Sequence, residues 1–466
     1  MALLHRKQKE YLMKKIGFNF PSQPRETAIR AVEDWYQQLL SEKLDRDYSP
    51  IKRSNFGEFS MAVNYLTSVL EEAKAIEKVA IFNIDHMAQI QFTGKDVVTL
   101  LDRVLPANTA SMKIGQCKYT LLLNETGGVI DDLIMMKMSD ENYILVINAG
   151  HDITDAEREM KADVDVIMSY LKEGEDVTAK DISDELVKID VQGPLSYKLI
   201  TKLYGNEVVK NRYKPAKNMG FFTFNDFEYE GQNYILSRTG YTNRWGWELY
   251  VPTAVAEEQF KRIALEALEL EGLVVGLGGR DENRISAGNV GLPLNGSEYD
   301  QFHTPVNSPL FNAAIDMSKE SFVGKDALLK EKDTDKRMIL FISEGIVSHR
   351  GIYLNGERIG TATSSINSPN IPFEKRQFIG SSRRGVNEES GTAAIGLGWV
   401  KVNPFEVDDD GKDVLVKDDK PVCIRLEFFR EDVDGNTKGK SVLGYISGDG
   451  ITPATAPRPL KRIQNL

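Results

Sequence analysis

Two amphipathic helices are predicted near the start of the chain. Residues 25–44 carry charged side chains on one helical face and apolar ones on the other, namely Ile29, Val32, Trp35, Leu39 and Leu40. Residues 60–79 show a second helical pattern, and Ser60 is suited to be its N-cap. These patterns predict an N-terminal helical extension over residues 1–62.

The pattern then changes to short apolar runs separated by turns, such as VAIFNID, KYTLLLN and NYILVINA, with helical stretches between some of them. Strands and helices mixed without a regular βαβ rhythm predict an α+β domain with a mainly antiparallel sheet over residues 63–335. From residue 336 to 466 the runs are strands separated by Gly, Asn and Asp turns. This second texture predicts a C-terminal β-barrel domain.

Composition narrows the class of protein. The 466 residues include 58 Lys and Arg against 69 Asp and Glu, a net charge of −11, which disfavours nucleic acid as a partner. No apolar run approaches the roughly 18 residues of a membrane-spanning helix, and the charged start is unlike a signal peptide. The two cysteines, Cys117 and Cys423, make neither a disulfide framework nor a zinc quartet. We therefore expect a cytoplasmic protein without a metal, and no membrane partner.

The segment NETGGVIDDLIMMKM, residues 124–138, is the most informative for chemistry. Asn124 and the pair Gly127–Gly128 predict a hairpin turn, since glycine adopts positive φ readily. Asp131 and Asp132 follow it, and because strand residues alternate, at most one carboxylate faces the core. An acid in an apolar pocket is suited to bind or activate an amine. The alternative is a pair of solvent-exposed acids that ends a turn.

Glu248 lies between apolar neighbours in the strand that follows Trp245 and Trp247. A strand-interior Glu needs a partner for its charge. One such partner is a ligand with two adjacent N–H donors, such as a 2-amino-4-oxo pyrimidine edge, with the flanking aromatics stacked on the ring. The alternative is a surface Glu paired with a nearby Lys or Arg.

The segment GLGGRDENRISAG predicts tight glycine packing that directs Arg280 inward. Its glycines fit neither the GxGxxG nor the GxxxxGK[ST] pattern of nucleotide-binding loops. The alternative is a surface ion pair between Arg280 and Asp281 or Glu282 at the start of a helix. His86, in NIDHM, is interpreted as a core or loop histidine with its hydrogen bonds satisfied.

Taken in order, these segments resemble the tetrahydrofolate-dependent aminomethyltransferase family, which includes the glycine cleavage T-protein. The matching stretches run from about residue 80 to the end: NIDHM, GQCKYTLLLNETGGVIDDL, YILVINAG, VQGP, SRTGY, WGWELYVP, GLGGRDENRISAG, SFVGKDAL, GTATSSINSP and AIGLGWV. The resemblance implies a three-lobed, cloverleaf folate-binding fold with tetrahydrofolate in a central channel and a C-terminal β-barrel.

The resemblance also assigns residues. It implies that Asp132 is the catalytic carboxylate beside the folate nitrogens, that Glu248 binds the pteridine, and that Arg280 is the folate-site arginine. Positions that line the folate channel are implied at Met87, Tyr119, Val146, Asn148 and Tyr241.

Three departures from the family distinguish this chain from a typical glycine cleavage T-protein. The glycine-rich acidic turn before the pteridine glutamate is replaced by TNRWGW, which suggests substrate contacts for Arg244, Trp245 and Trp247. Ser286 replaces an acidic residue, and the first sixty residues do not match. We therefore expect a paralogue that takes a one-carbon unit from a free aminomethyl or N-methyl compound, rather than from a lipoyl carrier protein.

Two alternatives remain at this point. The first is a tetrahydrofolate-dependent O-demethylase of a methoxyaromatic acid, with Arg244, Trp245 and Trp247 on the carboxylate and ring. The second is a non-catalytic folate-binding protein, although KESFVGKDAL lacks the cysteine of such relatives. The oligomeric state does not follow from the sequence.

Overall fold

The structure, a computed structural model, describes residues 24–47, 49–65, 68–151, 161–288, 291–331, 334–410 and 412–448, without the side chain at position 384. The helices in this part of the chain are α1 (Arg30–Leu44), α2 (Val69–Lys74), α3 (Val97–Val104), α4 (Asp163–Met168), α5 (Ser196–Tyr204), α6 (Ala256–Glu269), α7 (Leu277–Ile285), α8 (Phe311–Ala314), α9 (Lys325–Glu331), α10 (Phe373–Gln377) and α11 (Arg384–Asn387).

The strands fall into three main sheets and three two-stranded pairings. They are β1 (Lys52–Phe56), β2 (Phe59–Asn64), β3 (Ala80–Asn83), β4 (Ala88–Thr93), β5 (Cys117–Leu123), β6 (Val129–Ser139), β7 (Asn142–Ile147), β8 (Thr178–Asp181), β9 (Leu186–Gln192), β10 (Lys210–Asn211), β11 (Lys214–Asn218), β12 (Phe224–Tyr229), β13 (Gln232–Ser237), β14 (Gly246–Pro252), β15 (Leu273–Val275), β16 (Arg337–Ser343), β17 (Gly351–Leu354), β18 (Glu357–Ser368), β19 (Ala393–Val400), β20 (Val416–Lys417), β21 (Lys420–Pro421), β22 (Cys423–Glu431) and β23 (Thr437–Ser447).

A six-stranded sheet runs in the order β12-β13-β14-β9-β3-β15, and only its β3–β15 pairing is parallel. One face is covered by α1, α5 and α6, which bury their apolar stripes against it. Val32 and Tyr36 from α1 belong to this core, and the Tyr36 hydroxyl accepts a hydrogen bond from the backbone N–H of Val274 at 3.0 Å. The N-terminal helix is therefore part of the core of this sheet.

A five-stranded antiparallel sheet runs in the order β5-β6-β7-β4-β8, with α3 and α4 on one face. Its other face meets the six-stranded sheet through a smaller apolar cluster. Met136 and Val146 on one side of this cluster pack with Phe224 and Tyr250 on the other. The two sheets thus face each other, and this junction borders the cavity described below.

The closing strands form the expected barrel, in the closed order β16-β19-β18-β17-β22-β23. Phe341, Ile352 and Phe428 fill its interior. Its outer side shares a second core with the β5–β6 hairpin, where Leu121 and Val129 lie among barrel residues. The β5–β6 hairpin, which carries Asp131 and Asp132, therefore packs against both the six-stranded sheet and the barrel.

The predicted helix over residues 60–79 is wrong in its first part, which is a strand, and is confirmed over residues 69–77. Residues 52–64 form the β1–β2 hairpin, because the backbone of Phe59–Asn64 pairs with β1 and most of its side chains are buried. The helix that follows begins after Ser68, whose side chain accepts from the Glu71 N–H while Glu71 accepts from Ser68, a complete capping box. Ser60 is instead a strand residue. Of the predicted N-terminal extension, residues 1–23 lie outside the described part.

No helix in the described residues combines the length and apolar character that crossing a membrane requires.

Candidate functional site

One cavity brings together all eight residues that the sequence assigned to catalysis or folate contact. It measures about 240 Å³ and lies where the two facing sheets meet α7 and the 292–313 segment. Its lining includes Met87, Tyr119, Asp132, Val146, Asn148, Tyr241, Glu248 and Arg280. Most of the remaining wall is apolar, from Leu133, Ile134, Phe221, Phe222, Leu292, Leu294, Leu310 and Ala313. We call this space the central cavity.

Asp132 on β6 is held by two donors. The amide of Asn148 donates to its Oδ1 at 2.9 Å, and the hydroxyl of Tyr119 donates to its Oδ2 at 3.2 Å. Burial, and then the charge of Asp132, raise the pKa of Tyr119 well above its ordinary value. Tyr119 therefore keeps its proton and remains a donor, which fixes the Asp132 carboxyl in one orientation.

Asp131 does not line the central cavity and has a structural role. It is 3% exposed, and its carboxylate accepts from the backbone N–H of Asn148 at 3.2 Å and from the side-chain amides of Asn148 and Asn295. Of the two acids, only Asp132 lines the central cavity, although both accept from the Asn148 amide. Because Asp131 is buried, the alternative of an exposed acidic pair is wrong. Asp131 ties β6 to the end of β7 and so supports the position of Asp132.

Glu248 on β14 is almost buried and has half of its carboxylate engaged. Its Oε2 accepts from the Thr239 hydroxyl at 2.9 Å and lies 3.2 Å from the Lys188 ammonium. Its Oε1 accepts no hydrogen bond from the described part of the chain. The Glu248 charge is therefore balanced by Lys188, and one oxygen remains to accept from a ligand.

Lys188 and Asp190 on β9 were not predicted as site residues from the sequence. They stand two residues apart in an otherwise apolar strand, and this spacing places both on one face of the sheet. Asp190 lies directly opposite Glu248 in the strand pairing. Burial, and then the nearby charge of Glu248, raise the pKa of Asp190 well above its ordinary value. Lys188 is 1% exposed and lies 5.0 Å from the ring centre of Tyr250.

Arg280 at the start of α7 has no carboxylate partner in the described residues. Asp281 pairs instead with Arg284, at 2.7 Å, so the predicted alternative of an Arg280–Asp281 surface pair is wrong. The Arg280 guanidinium lies over the Tyr241 ring, 5.0 Å from its centre, and its buried Nε has no hydrogen-bond acceptor. Arg280 is thus a cation at the cavity wall that forms no salt bridge with a carboxylate of the described residues, although its charge acts on Asp190.

The structure does not bring Arg244, Trp245 and Trp247 to the central cavity. Trp247 and Leu249 point from β14 into the core under the helices, opposite to Glu248. Trp245 joins that core and carries the Arg238 guanidinium 3.7 Å from its ring centre. The charge of Arg244 acts on the buried carboxyl of Glu282. Strand alternation therefore corrects the idea that aromatics adjacent to Glu248 stack on its ligand.

His86 also departs from expectation. It is 2% exposed, with its ring edge-to-face with Phe56, and its Nδ1 has no hydrogen-bond partner. Burial lowers the pKa of His86 well below its ordinary value, and the charges of Arg280 and Lys188 add to the effect. His86 is therefore a neutral buried ring behind the cavity wall, and its hydrogen bonding is not fully satisfied.

The cavity chemistry follows from these placements. An acid with fixed orientation, a free carboxylate oxygen and an unpaired guanidinium face an apolar space, an arrangement that binds a flat polar ring and excludes bulk water. The described residues contain no group of three or more His, Cys, Asp or Glu side chains placed to hold a metal ion.

Comparison with known proteins shows the family of the chain. Residues 52–319, more than half of the chain, match the family described as GCVT N-terminal domain. A relative named aminomethyltransferase, from Corynebacterium jeikeium, is 33% identical over 352 residues, 72% of this chain and 85% of the relative. Another of the same name, from Thermosipho melanesiensis, is 30% identical over 394 residues, 83% of this chain and 96% of the relative.

A solved structure resembles the fold. It is the glycine cleavage system aminomethyltransferase T from Bartonella henselae, with a TM-score of 0.65 and 22% identity over 91% of this chain and 96% of the other. The likeness confirms the expected fold class, an α+β cloverleaf closed by a C-terminal β-barrel.

Proposed function

This chain belongs to the GCVT family, and on that premise we propose that it transfers a one-carbon unit from a small aminomethyl or N-methyl compound to tetrahydrofolate. The observation that carries the proposal is the convergence of Asp132, Glu248 and Arg280 on one apolar cavity. Tetrahydrofolate supplies the amine that accepts the carbon.

The residues present suit a folate. The 2-amino-4-oxo edge of a pteridine offers adjacent N–H donors, and the open Oε1 of Glu248 is an acceptor for them. Lys188 and the Thr239 hydroxyl fix the other oxygen, Oε2, so the carboxylate does not rotate away. The apolar side chains of Val146 and Phe222 provide flat contact surfaces for the ring.

Asp132 is the residue we assign to the chemistry. With Tyr119 and Asn148 holding its two oxygens, the carboxyl is pre-oriented toward the cavity. It would orient or deprotonate the accepting amine and stabilise positive charge that develops during transfer. The apolar walls limit water and supply proximity between donor and acceptor.

Such a carboxylate is most useful with an amine donor, because a sulfonium donor is already activated. The O-demethylase alternative rested on Arg244, Trp245 and Trp247 at the substrate, and those residues lie away from the central cavity. A free donor in place of a lipoyl carrier protein, and a cytoplasmic location, remain our predictions.

The test is mass spectrometry of the folate after purified protein is incubated with tetrahydrofolate and a panel of methylated amines, aminomethyl compounds and methoxyaromatic acids. We expect a methylene- or methyl-folate product with an amine donor. In Asp132→Asn, turnover should fall about a hundredfold or more while folate still binds. Glu141→Gln, an exposed acid on the turn after β6, is the matched control and should retain full turnover.

Two results would contradict the proposal. Unchanged turnover in Asp132→Asn with folate bound would remove Asp132 from the chemistry. Absence of folate binding in the wild type would remove the assignment of the site itself.

A further inference from the structure

A chain of buried hydrogen bonds connects Asp190 to the Glu248 carboxylate. The side-chain amide of Gln192 donates to the Asp190 carboxyl at 2.6 Å and to the backbone carbonyl of Thr239 at 3.0 Å. The Thr239 hydroxyl in turn donates to Oε2 of Glu248 at 2.9 Å. Asp190, Gln192 and Thr239 are each at most 3% exposed. The Glu248 carboxylate is therefore linked to a second carboxyl that does not itself line the central cavity.

The middle of this chain is held in place from both sides. A Cβ atom added at Gly240 or at Gly246 would overlap the Gln192 amide, so the turn packs directly on it. The Thr242 hydroxyl donates to Oε1 of Gln192 at 2.8 Å, which fixes the orientation of the amide. A change of charge at Asp190 is therefore not relieved by a movement of Gln192, and it acts on Glu248 through its electric field.

Groups from several elements face Asp190. They are Glu248 and Tyr250 on β14, Lys188 on β9 itself, Arg280 on α7, and the uncharged Phe82 on β3. With both carboxyls ionised, the two cations and the two anions sum to zero. Further out, His86 and Cys117 feel the charge of Lys188, and the pKa shift that burial causes keeps both of them neutral.

A pteridine at Glu248 changes the field at Asp190. Its N–H donors place their positive ends against the open oxygen of Glu248, and this weakens the repulsion between the two carboxylates. Because Asp190 is only 1% exposed before a ligand enters, filling the central cavity adds little to the cost of burying its charge. Asp190 therefore ionises more readily in the complex than in the free protein.

We propose that Asp190 is a positioning residue for the folate site and that it gives up a proton when a pteridine binds at Glu248. The inference rests on the proposed function and adds a residue that touches neither the ligand nor the reacting atoms. The one bond that breaks is the O–H bond of the Asp190 carboxyl, and the proton goes to the buffer. In the free protein, burial and then the charge of Glu248 raise the pKa of Asp190, which favours the protonated form that the step requires.

The test is calorimetric titration of 5-formyltetrahydrofolate into the wild type and Asp190→Asn, in buffers of different ionisation enthalpy between about pH 6 and 9. The slope of observed enthalpy against buffer enthalpy counts the protons released. Asparagine keeps an acceptor for Gln192 but cannot ionise, so it reproduces the protonated state and should fold. Asp140→Asn is the matched control, because Asp140 is 82% exposed on the turn after β6.

We expect the wild type and Asp140→Asn to release up to one proton per site, and Asp190→Asn to release none. By linkage, the Kd of the wild type should fall as pH rises, about tenfold for each unit by which binding lowers the pKa of Asp190. Asp190→Asn should keep, at every pH, the Kd that the wild type has at the low end. A merely structural role for Asp190 would instead change the Kd by the same factor at all pH values.

A second measurement needs no variant. The infrared difference spectrum of the wild type, with and without 5-formyltetrahydrofolate, should show loss of the C=O stretch of a protonated carboxyl on binding. Should Asp190→Asn fail to fold, persistence of that band together with zero proton release by the wild type would overturn the inference.

Two further results would also overturn it. One is equal proton release by the wild type and Asp190→Asn, and the other is a ratio of their Kd values that does not change with pH. Folate that fails to bind the wild type at any pH would remove the proposed function together with this inference. Turnover with tetrahydrofolate near pH 7, measured separately, does not require Asp190 to titrate and so tests the proposed function independently.

Discussion

The ion pair between Lys188 and Glu248 makes a quantitative prediction for the variant Lys188→Met. Methionine keeps most of the side-chain length and apolar contact but removes the charge. Glu248 would then be left in the core without its cation and opposite Asp190 in the neighbouring strand. We expect both the stability of the protein and its affinity for folate to fall.

The magnitude follows from the separation and the burial of the pair. The charges are 3.2 Å apart, and their side chains are 1% and 10% exposed. At an effective dielectric constant of about 20, their attraction is about 5 kcal/mol, most of which offsets the cost of burying them. Removing one partner of such a pair costs about 3 to 5 kcal/mol, so we expect Lys188→Met to lose about 3 kcal/mol of unfolding free energy.

The assay is urea unfolding of Lys188→Met, Glu248→Gln and the double variant near pH 7. Because the double variant leaves no uncompensated charge, it should lose about 2 kcal/mol less than the sum of the single losses. Lys180→Met is the control, since Lys180 forms a solvent-exposed pair with Glu185 at 2.6 Å and should lose less than about 1 kcal/mol. Additive losses, or equal losses in Lys188→Met and Lys180→Met, would refute the reasoning.

Two further predictions test other groups. Burial raises the pKa of Asp85 to about 7, above its value in the unfolded chain. The folded protein therefore holds this proton more tightly, and the free energy of unfolding of the wild type should decrease as pH rises from about 4 through 7. Asp85→Asn should lack this decrease, and parallel pH profiles of the two unfolding free energies would contradict the prediction. Burial raises the pKa of the Cys117 thiol well above its usual range, whereas Cys423 is exposed. A thiol reagent should therefore modify one cysteine in the native protein and two in denaturant. Rapid reaction of both cysteines in the native protein would contradict this, because it would show that Cys117 is accessible.

The residues whose positions could be predicted from the sequence are those determined by strand alternation or by a short motif. Asp131 and Asp132 are neighbours on one strand, and of the two only Asp132 lines the central cavity, as strand alternation predicts. The turn of Asn124 and Gly127 appears as predicted, with φ of +78° at the glycine and the Asn124 side chain accepting from the Gly128 N–H. The family resemblance, and not a local pattern, predicted that Glu248 and Arg280 lie near Asp132, because no local pattern joins segments over a hundred residues apart.

The errors come from interactions between segments. Residues 60–64 have a helical apolar pattern, yet pairing with β1 buries Phe59 and Met61 and makes a strand more favourable. Strand alternation turns Trp247 away from Glu248, so the error at Trp247 was avoidable. The Lys188 partner of Glu248 could not be predicted, because the two residues meet only through the pairing of β9 with β14.

The pairing of β9 with β14 bears on the segment TNRWGW, where this chain departs from the family pattern. Where the family has an acidic turn before the pteridine glutamate, this chain has Arg244 and tryptophans that face the core. A second carboxyl is nevertheless present beside Glu248, as Asp190 on the adjacent strand, together with Lys188. Burial, and then the charge of Glu248, raise the pKa of Asp190, which favours the protonated form of Asp190 beside the Glu248–Lys188 pair. The edge of the central cavity at Glu248 therefore carries charged side chains from two strands, which a motif match at Glu248 alone does not reveal.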